Sequence, residues 1–166
     1  MAVSTAIYGL LAGVSGCFLS RFDAGDAIRT IQRHRVTAVV GVPAMFIRLL
    51  NANPPPDALA SVRLWVSASD HLPDADRRRL VRHGALLRGP GGARVRSVFL
   101  NAYGMVELGG IGMFGLDAPL VPGGGQWCVR CPPFHVRVAD ETGRPVPPGT
   151  TGECLVRGPG TADSEG

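Results

Sequence analysis

Asn101, Tyr103 and Glu107 put an amide, a phenol and a carboxylate into one seven-residue stretch, Asn101-Ala102-Tyr103-Gly104-Met105-Val106-Glu107. Together these groups can hydrogen-bond a polar ring edge, stack on a flat ring and hold a hard cation. The stretch follows an apolar run, Ser97-Val98-Phe99-Leu100, and precedes a glycine-rich one, Gly109-Gly110-Ile111-Gly112. A polar cluster at a strand end, beside permissive backbone, is where α/β folds hold ligands. The same residues also suit an ordinary polar loop after a core strand, and chemistry alone leaves both readings open.

Two other groupings need weighing. Cys128-Val129-Arg130-Cys131 has the CxxC spacing, but no second close pair completes a four-ligand zinc site. Pro132-Pro133 follows at once, which does not suit the helix start of a thioredoxin-like site; structural cysteines are the expectation. Arg77-Arg78-Arg79 with Arg82 is the densest basic cluster and reads as the solvated face of a helix. A nucleic-acid surface asks for a broader basic face with stacking aromatics, so no nucleic acid is expected as a partner.

All 17 basic residues are arginine. With no lysine, the chain can supply neither a Schiff-base amine nor a lysine clamp on phosphate. The net charge of +4 is mild, and 45% hydrophobic residues are enough for a core. Residues 1–19 are largely apolar and carry no charged side chain, and Val14-Ser15-Gly16-Cys17 resembles a lipoprotein cleavage box. No positively charged region precedes it, and Gly9, Gly13 and Gly16 weaken a spanning helix. A buried helix followed by a short Cys17–Leu19 strand is expected, with no membrane span and a cytoplasmic location.

The elements that must position the polar stretch follow from periodicity. Asp23 or Asp26 can cap a helix presenting Ala27, Ile28 and Ile31 on one face. Thr37 to Val42 reads as a strand buried on both faces of a parallel sheet. Pro43 starts a helix through Leu50, and Pro54-Pro55-Pro56 ends it. Val62 to Ser67 is a strand, Ser69 to Pro73 a turn. A helix then runs from Asp74 to a stop at Gly84. Residues 88–94 read as a Gly/Arg loop and Ser97 to Tyr103 as the strand carrying the polar stretch. After Pro122-Gly123-Gly124-Gly125 the pattern turns to short β-strands, Phe134 to Val138 and Glu153 to Arg157, with a turn at Asp140-Glu141-Thr142-Gly143. The expected fold is α/β, a partial parallel-sheet subdomain with flanking helices (1–120), followed by the start of a small β subdomain (121–166).

In order, these landmarks resemble the AMP-forming adenylating superfamily of acyl-CoA synthetases, aryl-acid ligases, luciferases and peptide-synthetase adenylation domains. Val36-Thr37 through Val42-Pro43-Ala44 resembles its strand-to-helix step. Trp65 through Pro73 resembles its Gly-Gly-Ala-Pro-Leu turn, and Asn101 to Glu107 its N-x-Y-G-x-T-E motif. Arg137 to Asp140, Gly149, Gly152-Glu153 and Gly158-Pro159 resemble its later β section. The resemblance covers roughly residues 9–160.

It implies ATP-dependent activation of a carboxylic acid, such as a fatty acid, to an acyl-adenylate, then transfer to a thiol such as coenzyme A. It implies that Asn101 meets the adenine edge, Tyr103 stacks on the ring and Gly104 lets the backbone approach the nucleotide. Ala102, Met105 and Val106 complete that stretch, and Ala68, Ser69 and Asp70 pack near adenine. Glu107 holds Mg²⁺. Ala44, Trp65, Ser67, Ala102 and Gly110 match positions lining the acyl pocket, where the bulk of Trp65 suggests a limited space.

The sequence departs from the pattern at four places. Val106 replaces the motif Thr, Ala68 replaces a Gly, and Asp70-His71 replaces Ala-Pro. Cys128 and Arg130 stand where Gly and Pro are usual. The family's phosphate loop with its Lys, its Tyr-x-Thr-Gly-Asp segment and its lid Lys are not in these 166 residues. The expectation is therefore an internal fragment, inactive alone and in need of the missing parts of the domain or a partner chain. The alternatives are a non-catalytic nucleotide- or acyl-binding remnant and a piece of a peptide-synthetase adenylation domain. Met105 leans towards acyl-CoA synthetases.

Overall fold

The computed structural model describes residues 7, 9–105, 108, 110–121, 128–159 and 161. Helix α1 (Ala24–His34) starts where expected: the Asp23 side chain accepts from Asp26 N at 2.9 Å. Its buried residues are Ala27, Ile28 and Ile31, the face that helical spacing selects. Arg35 closes it with a left-handed φ of 49°, and Val36 N donates to Ile31 O at 3.1 Å.

Strand β1 (Ala38–Gly41) leads through Val42 into α2 (Pro43–Asn51), where proline occupies the first turn and has no N–H to leave orphaned. Strand β2 (Leu64–Ala68) leads through a short turn into α3 (Asp74–His83), whose first turn carries Asp74 and Asp76 and whose last carries Arg82 and His83. These charges match the sign of the helix ends. Strand β5 (Val98–Met105) then pairs in parallel with β2, which pairs in parallel with β1. Helices α1, α2 and α3 supply the core that packs on Trp65 and Phe99: Ile28, Ile31, Phe46, Leu49, Leu50, Leu80 and Val81. Trp65 is 0% exposed, meets Phe46 edge-on at 5.9 Å between centroids, and donates Nε1 to Ser97 Oγ at 2.9 Å. Burial of one such ring is worth ~3 kcal/mol.

The sheet continues past the parallel strands. Strand β6 (Gly110–Asp117) runs antiparallel to β5, and β7 (Cys128–Arg130) antiparallel to β6, giving the order β1-β2-β5-β6-β7. A separate antiparallel pair joins β8 (His135–Ala139) to β9 (Glu153–Arg157). The parallel-containing sheet with flanking helices, followed by small antiparallel pairing, is the fold class the sequence implied.

Several local expectations are corrected. Thr37 to Val42 is not a strand buried on both faces: β1 is the sheet's outer strand, and Val40 remains 39% exposed. Cys17–Leu19 forms no strand, because among the described residues no strand offers it a ladder, and all three residues are exposed. The 88–94 segment is not simple loop. It turns a hairpin between β3 (Ala85–Arg88) and β4 (Arg94–Arg96) through a 3₁₀ turn at Pro90–Gly92. Gly84 does stop α3, but with an ordinary φ of −88°. It is needed for space: a Cβ there would lie 2.4 Å from Val62 O and 2.6 Å from Ser97 Oγ.

Candidate active site

Three parallel strands end side by side at one edge of the sheet, each at its carboxyl end. Gly41 pairs with Ser67, Ser67 with Asn101, and Ala68 with Ala102. The helix following β1 begins at Pro43-Ala44 on this edge, with Ala44 exposed in its first turn. The turn following β2 holds Ser69 at a φ of +81°, which a residue with a Cβ adopts at a cost of about 1 kcal/mol. Asp70 Oδ1 accepts His71 N at 2.7 Å, and the buried Leu72 anchors the turn. Ser69, Asp70 and His71 are exposed. Asp74, at the start of α3, has its carboxyl held below the usual range, first by a hydrogen bond from Arg77 and then by Arg77's charge.

Strand β5 carries the polar stretch out of the core. Asn101 is partly buried, Ala102 is buried, and Tyr103 emerges 43% exposed at the end. A register shift falls between Tyr103 and Gly104, after which Gly104 pairs with Ile111 and Met105 with Gly110. Gly104 is fixed by contact rather than by φ: a Cβ there would lie 2.3 Å from Gly110 O. Around Gly110 a Cβ would meet nothing within 4 Å, so this wall is open.

Two polar atoms stand out at this edge. Ser67 Oγ and Asn101 Oδ1 belong to register partners on adjacent strands, and both are buried with no hydrogen-bond partner among the described residues. Buried polar groups are almost always paired, and leaving one unpaired costs about 1–3 kcal/mol. An acceptor amide oxygen in this state suits a donor such as the exocyclic amine of a purine.

The structure therefore gathers Ala44, Ser67, Ala68, Ser69, Asp70, Asn101, Ala102, Tyr103, Gly104, Met105 and Gly110 along one sheet edge and the turns that leave it. Val106 and Glu107 lie outside the described residues. Trp65 stands apart: its ring is sealed in the helix-side core, with its N–H committed to Ser97. Among the described residues, no group of three or more His, Cys, Asp and Glu could hold a metal ion, and all four cysteines are free. No helix among them is long and apolar enough to cross a membrane.

Sequence reasoning missed the brace behind the site. Asp117, at the end of β6 and opposite Phe99, is 3% exposed and takes an ion pair from Arg77 of α3. Arg96 Nη2 lies 2.7 Å from Asp117 Oδ1 but aims its hydrogen bond at Ala118 O, 3.0 Å away. Arg77, expected on a solvated face, is thus 8% exposed and internal, while Arg78, Arg79 and Arg82 do face solvent. A lone acid closing the apolar 110–117 run was the available signal.

Comparison with known proteins gives this geometry its family. Residues 1–164 match the family described as AMP-binding enzyme. Feruloyl-CoA synthase of an Amycolatopsis species is 32% identical over 154 residues, 90% of this chain and 28% of the relative. Salicyl-AMP ligase / salicyl-S-ArCP synthetase of Mycobacterium tuberculosis is 34% identical over 153 residues, 92% of this chain and 25% of the relative. The structure of apo MatB from Rhodopseudomonas palustris superposes with a TM-score of 0.71 at 28% identity, over 95% of this chain and 28% of that one. The chain thus spans about a quarter of the length of these relatives. With residues 1–164 matched, this chain belongs to the AMP-binding enzyme family.

Proposed function

We propose that these residues form the nucleotide- and acyl-facing wall of an adenylate-forming acid–thiol ligase. In that reaction a carboxylate attacks the α-phosphorus of ATP, giving an acyl-adenylate and pyrophosphate. The thiol of coenzyme A then displaces AMP to give the thioester. The observation that carries the reading is the unpaired Ser67 Oγ and Asn101 Oδ1 at the carboxyl edge, beside the exposed Tyr103. In this reading Asn101 accepts from the adenine amine and Tyr103 stacks on the ring. The Ala68-Ser69-Asp70 turn flanks it, and Gly104, Met105 and Val106 let the nucleotide lie close to the backbone. Glu107 holds Mg²⁺, which offsets phosphate charge when bound. Ala44, Ser67, Ala102 and Gly110 face the acyl group, with Trp65 behind them as support.

The acid is proposed to be an aryl or arylalkyl carboxylic acid. Support comes from the names of relatives, which include feruloyl-CoA synthase, indoleacetate–CoA ligase and salicyl-AMP ligase. A fatty acid is the second reading, supported by the fold shared at 26% identity with a long-chain-fatty-acid CoA ligase.

These 166 residues are proposed to bind nucleotide without turning it over. Stabilising charge on the phosphates is the main catalytic need, and the sequence holds no lysine and has Val106 at the motif's Thr position. A division near residue 120 is likewise proposed, although β7, beyond it, still pairs with β6. The exposed apolar residues Val40, Ile111 and Val129 are proposed to be covered by further domain or by a partner; a monodisperse monomer in sedimentation would contradict this. The main test is calorimetry with Mg²⁺-ATP. Binding should be saturable, weaken at least tenfold in Asn101→Ala and Tyr103→Ala, and lose its Mg²⁺ dependence in Glu107→Ala. Absence of binding, or equal binding by all variants, overturns the reading. Pyrophosphate exchange with a panel of aryl and fatty acids checks turnover, and robust exchange by this chain refutes its proposed inactivity.

A further inference from the structure

The opposite edge of the same sheet carries a second concavity. A cleft of about 350 Å³ opens at the amino ends of β1 and β2, against β3. Arg35, Thr37, Ser61, Arg63, Leu86 and Arg88 line it, and no acidic residue does. The volume is that of a small-molecule site.

The charge at this cleft is arginine alone, with no acid in the lining. Arg29, Arg77, Arg78, Arg79, Arg94 and Arg96 each have an aspartate partner. Among the described residues, Arg35, Arg63 and Arg88 have none, as is true of eight other arginines, but these three converge on one cleft. Carbonyls at the end of α1 offset part of the charge of Arg35. Three like charges around one concavity repel one another and raise the local positive potential.

The frame beneath them is tied down. Thr37 O accepts from Arg63 N at 2.8 Å and from Leu64 N at 3.1 Å, and Ala85 N donates to Val62 O at 2.9 Å. Ser61 Oγ donates to Val36 O at 2.9 Å. The guanidinium stems thus rise from backbone fixed between strands, while Ala60 and Leu86 add an apolar wall.

We infer that this cleft is a second ligand site, taking a small organic phosphate monoester. Its dianion would sit among the guanidinium groups of Arg63, Arg88 and Arg35, and its carbon skeleton against Leu86 and Ala60. Guanidinium forks match phosphate oxygens two at a time, which a single ammonium cannot do. The site is separate from the nucleotide edge. Six strand steps from Arg63 to Ser69 span about 20 Å, so a triphosphate held at Tyr103 does not reach it. The inference does not depend on the adenylate reading.

The test uses this chain with inorganic phosphate and glycerol 3-phosphate, by calorimetry at fixed ionic strength with sodium chloride as the control. Both probes should bind saturably, the ester more tightly. Arg63→Gln/Arg88→Gln should weaken both at least tenfold, with circular dichroism unchanged, because these side chains are exposed. Tyr103→Ala should bind both probes as the parent does. Three results would each overturn the inference: phosphate acting no differently from chloride, full binding by the double variant, or binding lost in Tyr103→Ala, which would put the anion at the other edge.

Discussion

Removing the Asp117 carboxylate should destabilise the fold more than any other loss of one acid. The Asp117 side chain is 4% exposed and that of Arg77, its partner, 10%. Asp117→Ala leaves the Arg77 guanidinium inside with only Asp74, whose side chain is 59% exposed and 3.0 Å away. Losing one member of a buried pair costs about 3–5 kcal/mol. The solvated Asp74 contact can return at most about 1 kcal/mol of that. Arg96, 31% exposed, can turn its charge to water. The net loss should be about 3 kcal/mol, a fall of about 9 °C in Tm for a chain of this size. Asp74→Ala should cost less than 1 kcal/mol. Arg77→Met/Asp117→Leu should recover most of the loss, because apolar groups of similar volume replace buried pairs at little cost. Urea denaturation followed by circular dichroism measures all three. If Asp117→Ala loses no more than Asp74→Ala at unchanged m-value, the buried pair does not brace β6 against α3 and the reasoning fails.

Four smaller perturbations test other parts of the account. Gly84→Ala drives a Cβ into Val62 O and should cost about 2–3 kcal/mol by chemical denaturation, although the φ at that position suits alanine. Ser69→Gly relieves the positive φ in the turn after β2 and should add about 0.5–1 kcal/mol; a loss instead would show that the side chain holds the turn. The pKa of His83 is lowered, mainly by burial and secondarily by Arg79. The unfolded chain therefore takes up the proton first, and the stability tied to neutral His83 is present above the unfolded pKa and lost as pH falls through the folded one. Between pH 7.5 and 5 the parent should lose more stability than His83→Gln, and parallel curves would refute this. Ser67→Ala removes a buried hydroxyl with no partner and should raise the stability of the ligand-free chain by about 1 kcal/mol. A drop in its thermal midpoint would show that the hydroxyl is paired after all.

The fold was legible wherever one periodicity dominated. Ala27, Ile28 and Ile31 marked the buried face of α1, Pro43 its neighbour's first turn, and β-branched runs the parallel strands. Hydrophobicity says that Thr37 to Val42 prefers a sheet but not whether a second neighbour flanks it, so the edge position of β1 stayed hidden. Strand β6 was missed for a related reason. Gly110, Gly112 and Gly115 have low strand propensity, yet the segment completes the ladder of β5, with Gly110 opposite Met105 and Gly115 opposite Asn101. Local preference and tertiary need point in opposite directions there, and the tertiary need prevails.

The residue types of the candidate site were readable, but their relation to one another was not. Nothing in the order of residues says that Ser67 and Asn101, 34 positions apart, become lateral neighbours, since that follows from the register of β2 on β5. The register also explains the use of two small polar groups there. Side by side at a carboxyl edge, Ser67 Oγ and Asn101 Oδ1 could satisfy one another, yet neither is paired. A fold selected for stability alone would place alanine and leucine at these positions and avoid about 1–3 kcal/mol per unpaired atom. Polar atoms kept unpaired at the mouth of a parallel sheet are recovered when a ligand supplies the missing donors. Under the proposed reading of this edge, the stability lost in the free chain is then part of the affinity for the nucleotide and acid.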